Sequence, residues 1–274
     1  MKKLLLIPLL FLGCASNYAN IDKKIEETNK ERKLIQKYQI SKSALTKVKN
    51  GYIFTLPEGN GFSIYKIDEN YDLVAKKQIP FLFDIKKTKY KNSKIYIVGY
   101  DQKKDKPALF IIDENLKNYT IKDFANKYDL PKDFIIDKNP VVLLSTYKNQ
   151  NADIELYANG KTTIFPNPDQ EHGSFIIKKD GGYYIIGSIQ HPQEDLLILF
   201  VKDGKIVWSK VYDFGMEDLP TKVEIKDNNI VIEVLSQDYM GAEHQFFITI
   251  DSNGKIIKIK KGIEFKTLPT RYRT

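Results

Sequence analysis

Cysteine is almost missing from this chain. Cys14 is the single cysteine among 274 residues, which excludes an internal disulfide and any metal site built from several thiolates. Long apolar runs are missing too: after residue 13 none approaches the roughly twenty residues that cross a hydrocarbon core of about 30 Å. There is no Gly-rich phosphate loop ending in Gly-Lys-Ser/Thr, no Gly-x-Ser-x-Gly elbow and no His-Glu-x-x-His pair, so the best-marked routes to phosphoryl transfer, serine hydrolysis and zinc proteolysis have no starting motif. Histidine is scarce, with three. Basic residues exceed acidic ones, 43 to 35, but the excess is spread along the chain without a strong basic block. That distribution argues against nucleic acid as a partner.

What is present points to a packed, exported protein. Hydrophobic residues make up 42% and charged residues 28%, enough apolar material for one large domain or two modest ones. Met1-Lys2-Lys3 is a short basic start, and Leu4 to Gly13 is a ten-residue run of apolar residues with Pro8 and Gly13. As a helix that run would span about 15 Å, half of what a bilayer needs. A basic start before a short apolar run reads as a secretory signal.

The run ends Phe11-Leu12-Gly13-Cys14, and here the sequence resembles the lipobox of bacterial lipoproteins, with Phe11 where that family usually has leucine. The resemblance implies cleavage before Cys14, a diacylglycerol on its thiol and an acylated new amine. Each buried methylene adds roughly 0.8 kcal/mol, so two or three acyl chains anchor stably. The expected organisation is a signal peptide over 1–13, a lipidated N-terminus and polar helical spacer over 14–42, and the body over 43–274. In the spacer, Asn20 or Asp22 could cap a short helix whose sparse apolar positions include Ile25, Leu34 and Ile35. It is expected to be solvated and to lift the body off the bilayer.

The body repeats a simple grammar. Five turns lead into apolar strands at Tyr52, Ile95, Val141, Tyr183 and Ile230, in steps of 43, 46, 42 and 47 residues. A second set of turns falls later in each unit, at Asp68-Glu69-Asn70, Asp113-Glu114-Asn115, Asn159-Gly160, Asp203-Gly204 and Asp251-Ser252-Asn253-Gly254. Asn-Gly or Asp-Gly between alternating apolar runs is the strongest short-range hairpin signal. Each unit therefore holds four strands, as two hairpins joined by a variable loop. Four-stranded units at a period of 40 to 50 residues indicate a β-propeller rather than a long sandwich or two β-domains. The fold expected is all-β, a five-bladed propeller with unit boundaries near residues 86, 132, 173 and 221. Gly182-Tyr183-Tyr184-Ile185-Ile186-Gly187-Ser188, then Leu196 to Val201, Asp203-Gly204-Lys205 and Val207-Trp208-Ser209-Lys210, resemble the blades of bacterial secreted propellers. That resemblance implies a fold and an envelope address, and no particular activity.

In such a fold the loops joining second to third strands share one rim with the connections between blades. The irregular stretches Gln190 to Asp195, Gln237 to His244 and Pro166 to His172 fall there, and loops on a rigid scaffold commonly carry function. The candidate binding residues are His172, His191, Glu194, Asp195, Asp238, Tyr239, Glu243 and His244. Asp169, Glu171, Asp213, Glu217 and Asp218 lie nearby. No two histidines stand at a metal-binding spacing, so no metal, cofactor or catalytic residue is assigned. Asp84, Asp133 and Glu224 stand at unit entrances and are candidates for a carboxylate trio at a central channel, but turn or edge positions explain each of them better. Tyr100, Tyr147 and Tyr239 could form an aromatic binding surface.

The functional expectation is an envelope lipoprotein, held to a membrane by its lipid with its body in the periplasm or at the surface. It is expected to bind or scaffold another envelope protein through the irregular rim. Two alternatives stand beside this. One is a carbohydrate-active or metal-dependent hydrolase using the acidic, histidine-bearing loops. The other is an envelope inhibitor or immunity protein against a toxin or hydrolase.

Overall fold

Among the described residues, twenty β-strands follow one another in fours. The computed structural model describes residues 30, 32–40, 44–124, 129–148 and 151–265; the signal segment and Cys14 lie outside them. The first meander is β1 (Thr46–Val48), β2 (Gly51–Glu58), β3 (Gly61–Ile67) and β4 (Leu73–Ile79), and the second is β5 (Phe83–Lys91), β6 (Lys94–Asp101), β7 (Lys106–Asp113) and β8 (Tyr119–Asp123). The third is β9 (Leu130–Ile136), β10 (Pro140–Lys148), β11 (Asn151–Ala158) and β12 (Lys161–Phe165). The fourth is β13 (Gln170–Lys179), β14 (Gly182–Gln190), β15 (Glu194–Lys202) and β16 (Lys205–Tyr212), and the fifth is β17 (Glu217–Lys226), β18 (Asn229–Gln237), β19 (Glu243–Ile250) and β20 (Ile256–Phe265). Each meander is an antiparallel four-stranded sheet, and the last two are joined by one parallel residue pair, Glu194 with Glu217. No helix among the described residues is long and apolar enough to cross a membrane.

The hairpin chemistry accounts for this order. Asn92-Ser93, Asn159-Gly160, Asp180-Gly181, Asp203-Gly204 and Asp227-Asn228 all have positive φ at both positions. Two successive left-handed residues make the turn whose twist matches that of paired strands, and Asn, Asp and Gly reach that region at the lowest cost. At Asp68 and Asp251 the turn is longer, and the carboxylate closes it by accepting backbone N–H bonds from residues two and four positions on.

The chain divides into two compact units, the first comprising residues 1–82, 88–96 and 111–119 and the second 83–87, 97–110 and 120–274. In the first unit a short helix (32–38) lies on the first sheet. Leu34 and Ile40 are buried with Phe54 and Ile67, and the Tyr38 ring stands 5.0 Å from Phe54 and 5.4 Å from Tyr65. The end of the stretch read as a solvated spacer is thus packed against the body. Truncating a leucine buried as fully as Leu34 typically costs about 2–5 kcal/mol.

In the second unit the fourth sheet is apolar on both faces. Ile185, Ile189, Leu197, Leu199 and Val201 face Val141, Leu143, Ile154 and Leu156 of the third sheet. Their neighbours Tyr184, Ile186, Leu196, Ile198 and Phe200 face Ile230, Ile232, Val234, Ile248 and Ile250 of the fifth. A strand with period-two alternation has two faces, and here both are filled with branched or aromatic side chains.

The first strands of the units begin earlier than the pattern suggests, at Phe83, Leu130, Gln170 and Glu217. In the third, fourth and fifth sheets that strand carries an extra residue, Lys132, Ser174 and Thr221, which the pairing skips. A bulge breaks the alternation that marks a strand, so residues on its early side read as connecting loop. His172 consequently sits within β13 rather than in a connection. Glu194, Asp195, Glu243 and His244 are likewise strand-end residues, and the loops proper shrink to 191–193 and 238–242.

Candidate functional site

In the second unit, short turns close one end of each sheet, and the other end carries the loops 191–193 and 238–242 with the connections 166–169 and 213–216. Backbone and side-chain bonds tie these segments together. Glu194 N–H donates to Met216 O at 3.3 Å and Met216 N–H to Gln237 O at 2.6 Å. The Gln193 amide donates to the Tyr239 hydroxyl at 3.1 Å. His191 Nδ1 lies 2.8 Å from Asp169 Oδ1. Gly187 is required where β14 passes the β13 bulge, because a Cβ there would strike the His172 carbonyl.

The 238–242 loop is held by its own first residue. Asp238 Oδ1 accepts from Met240 N–H at 2.8 Å and Ala242 N–H at 2.9 Å. Its backbone exchanges bonds with Ala242 and Gly241, Gly241 supplies φ of 81°, and Asp238 Oδ2 lies 3.1 Å from His244 Nε2. These partners, the His244 ring first, hold the Asp238 carboxyl below its usual range. At the loop tip Tyr239 is 73% exposed and Met240 92%. A loop fixed by bonds among Asp238, Met240, Gly241, Ala242 and His244 thus presents its largest apolar groups to solvent.

Two acidic groupings flank this end. In the first, Glu171 is buried in β13 and accepts from the Asn167 side-chain amide at 2.6 Å. Burial pushes its carboxyl up to about 7, with the charges of Asp153 and Asp169 adding to the rise and the Asn167 bond opposing it. In the second, Asp195 of β15, Asp213 of the connection and Asp218 of β17 bring carboxylate oxygens within 4.8 Å of one another. Asp218 is fully buried and Asp213 exposed. Burial raises Asp218 and Asp195 above the usual carboxylate range; Asp213 adds to both, and Asp218 to Asp195 as well.

The remaining sequence candidates separate clearly. Glu194 Oε1 accepts from the Ser188 hydroxyl at 2.6 Å, and Glu243 opens β19 opposite Gln237. His172 is half-buried, with its pKa lowered by burial, and its ring lies 6.5 Å from that of Tyr147. Tyr100 donates to Asp105 at 2.7 Å. Asp84 pairs with Lys86 and Glu224 with Lys222 on exposed strand surface. Asp133 spends its two oxygens on the N–H groups of Phe134 and Ile176, fastening the third sheet to the fourth. Each of these three carboxylates is thus engaged in a structural contact of its own. Asp213 and Asp218 bracket the connection from β16 to β17, and no local sequence pattern ties them to Asp195.

No protein-family pattern matches the chain, and no characterised protein matches it by sequence. Similar solved structures exist. Hydrazine synthase from Kuenenia stuttgartiensis is 10% identical over 77% of this chain and 64% of that one, with a TM-score of 0.54. A mutant apocarotenoid oxygenase from Synechocystis is 6% identical over 77% and 58%, with a TM-score of 0.51. The β-propeller domain of the Trilobed protease from Pyrococcus furiosus is 14% identical over 77% and 64%, with a TM-score of 0.48. The match spans less than two thirds of each of those chains. Such likeness concerns the fold alone, a nearly all-β chain of four-stranded antiparallel sheets.

Glu171 yields a pH test. The folded protein keeps a proton on this carboxyl up to about pH 7, whereas the unfolded chain releases it near the ordinary value of 4.5. Between those limits the folded state binds more protons, so its stability falls as pH rises, by about 3 kcal/mol at most from this group. Glu171→Gln keeps the acceptor for Asn167 and removes the charge. Urea unfolding should show the variant matching wild type near pH 4.5 and exceeding it at pH 8. A difference that does not change with pH would contradict the assignment.

Proposed function

We propose that this is a lipid-anchored bacterial envelope protein whose five four-stranded sheets are the blades of one propeller, and whose rim over the last three sheets binds another protein. The observation that carries the reading is the 238–242 loop. An exposed tyrosine–methionine pair on a mobile loop would lose entropy on binding; here the ordering has already been done by Asp238, Gly241 and His244. Preorganised aromatic and methionine side chains are favoured anchors at protein interfaces. Met216, 42% exposed, adds a second apolar group whose backbone is bonded to the end of β18. A hydrolase would need carboxyl groups open to substrate. Glu171 and Asp218 are buried, while Asp238 and Glu194 are engaged in local bonds, which favours the binding reading.

The anchor rests on the lipobox resemblance at Gly13-Cys14. Cys14→Ser should abolish palmitate labelling and partition into the detergent phase, and equal membrane retention of the mutant would reject the anchor. For the rim, a photo-crosslinking residue at position 240 or 216 in intact cells should yield a discrete adduct with one envelope protein. The same residue at position 204, in the opposite turn, should yield none. Adducts from position 204 and none from 240 would place the interface at the wrong end.

A further inference from the structure

Asp195, Asp213 and Asp218 come from three separate segments, the start of β15, the connection after β16 and the start of β17. Their convergence is costly as it stands. Asp218 is completely buried, and its Oδ1 has no hydrogen-bond partner. Its other oxygen accepts from Phe214 N–H at 2.6 Å, which fixes the carboxylate in place. Asp195 Oδ1 is also buried and without a partner. Two buried, unsatisfied carboxylate oxygens with a third carboxylate beside them need a positive partner, because an isolated buried charge is strongly unfavourable. Ser236 and the Gly215 N–H also hydrogen-bond the Asp218 carboxylate, and the charges acting on the two groups are those of neighbouring aspartates, apart from His191 on Asp195.

We propose that Asp195, Asp213 and Asp218 bind one calcium ion, which fastens the connection between the fourth and fifth sheets. The donor set is all oxygen, without the imidazole or thiolate that would suit zinc. Oxygens on opposite sides of a calcium ion are about 5 Å apart, while magnesium holds them to about 4 Å in a stricter octahedron. Three carboxylate oxygens within 4.8 Å of one another can share one ion, and the irregular origin of the three ligands and the exposure of Asp213 suit the more tolerant of the two ions. Asp213 and Asp218 bracket Phe214 to Glu217, the segment bonded to Gln237 and Glu194. The ion would therefore act on the same connection that carries Met216, and it does so whether or not the rim binds a protein.

The test is calorimetric titration of CaCl2 into the full chain after chelator treatment, with melting temperatures measured alongside. One ion per chain should bind, with Kd about 1 mM or tighter, and the melting temperature should rise with calcium. Asp213→Asn changes an exposed side chain and should keep the fold, yet it should weaken binding at least tenfold. Asp195→Asn and Asp218→Asn should do the same. Absence of saturable binding, unchanged affinity in the Asp213 and Asp195 variants, or an equal response to MgCl2 would each overturn the proposal. So would an Asp218→Asn variant stabilised equally with and without calcium, since that marks a cluster neutralised by a proton.

Discussion

The fourth sheet is buried on both sides, and the second unit depends on that. Tyr184, Ile186, Leu196, Ile198 and Phe200 point one way, while Ile185, Ile189, Leu197, Leu199 and Val201 point the other. Neither set has water to face. A four-stranded sheet of this composition cannot be stable alone, because each face needs another apolar sheet. The third sheet covers one face and the fifth covers the other. The outer strand β16 escapes this demand and lies largely open to solvent, with Ile206, Val207 and Val211 exposed. Its Trp208 still turns inward onto Tyr184 and Phe200.

Stacking sheets face to face leaves their ends to be reconciled, and the irregular features collect there. Each first strand of the last three units spends one extra residue on a bulge, which bends it and sharpens its twist. Asp133 bridges from one such bulge to β13. The Glu194–Glu217 pair and the bonds of Met216 to Glu194 and Gln237 join the fourth sheet to the fifth. The loops at this end therefore stand on a braced frame. They can carry exposed Tyr239 and Met240 without surrendering a defined shape, and buried acids such as Glu171 and Asp218 without collapse of their surroundings.

Much of the fold was legible because it is written in short-range chemistry. Asn-Gly and Asp-Gly pairs announced hairpins, and the anchor spacing announced the repeating four-stranded units. The bulges were not legible: skipping Ser174 or Thr221 shifts alternation by one residue, and a broken period resembles a loop. The packing of Leu34 and Tyr38 was hidden by the charged residues around them. At the candidate site, the loop positions of His191 and Tyr239 were readable from the sequence. The Asp195, Asp213 and Asp218 grouping depends on residues 18 and 23 positions apart meeting through a pairing of sheets, which no local pattern encodes. Asp84, Asp133 and Glu224 serve structural contacts, as their turn or edge positions suggested, Asp133 by reaching across to Ile176.

The central claim is that a rigid stack of sheets holds the 238–242 loop in one conformation before any partner arrives. Backbone relaxation by NMR tests it directly. The amides of Met240, Gly241 and Ala242, which bond to Asp238, should show order parameters close to the roughly 0.85 of rigid strands such as β14 and β15. Values below about 0.6 at those three amides, with the strands remaining rigid, describe a loop that must be ordered by its partner. That result would contradict the account.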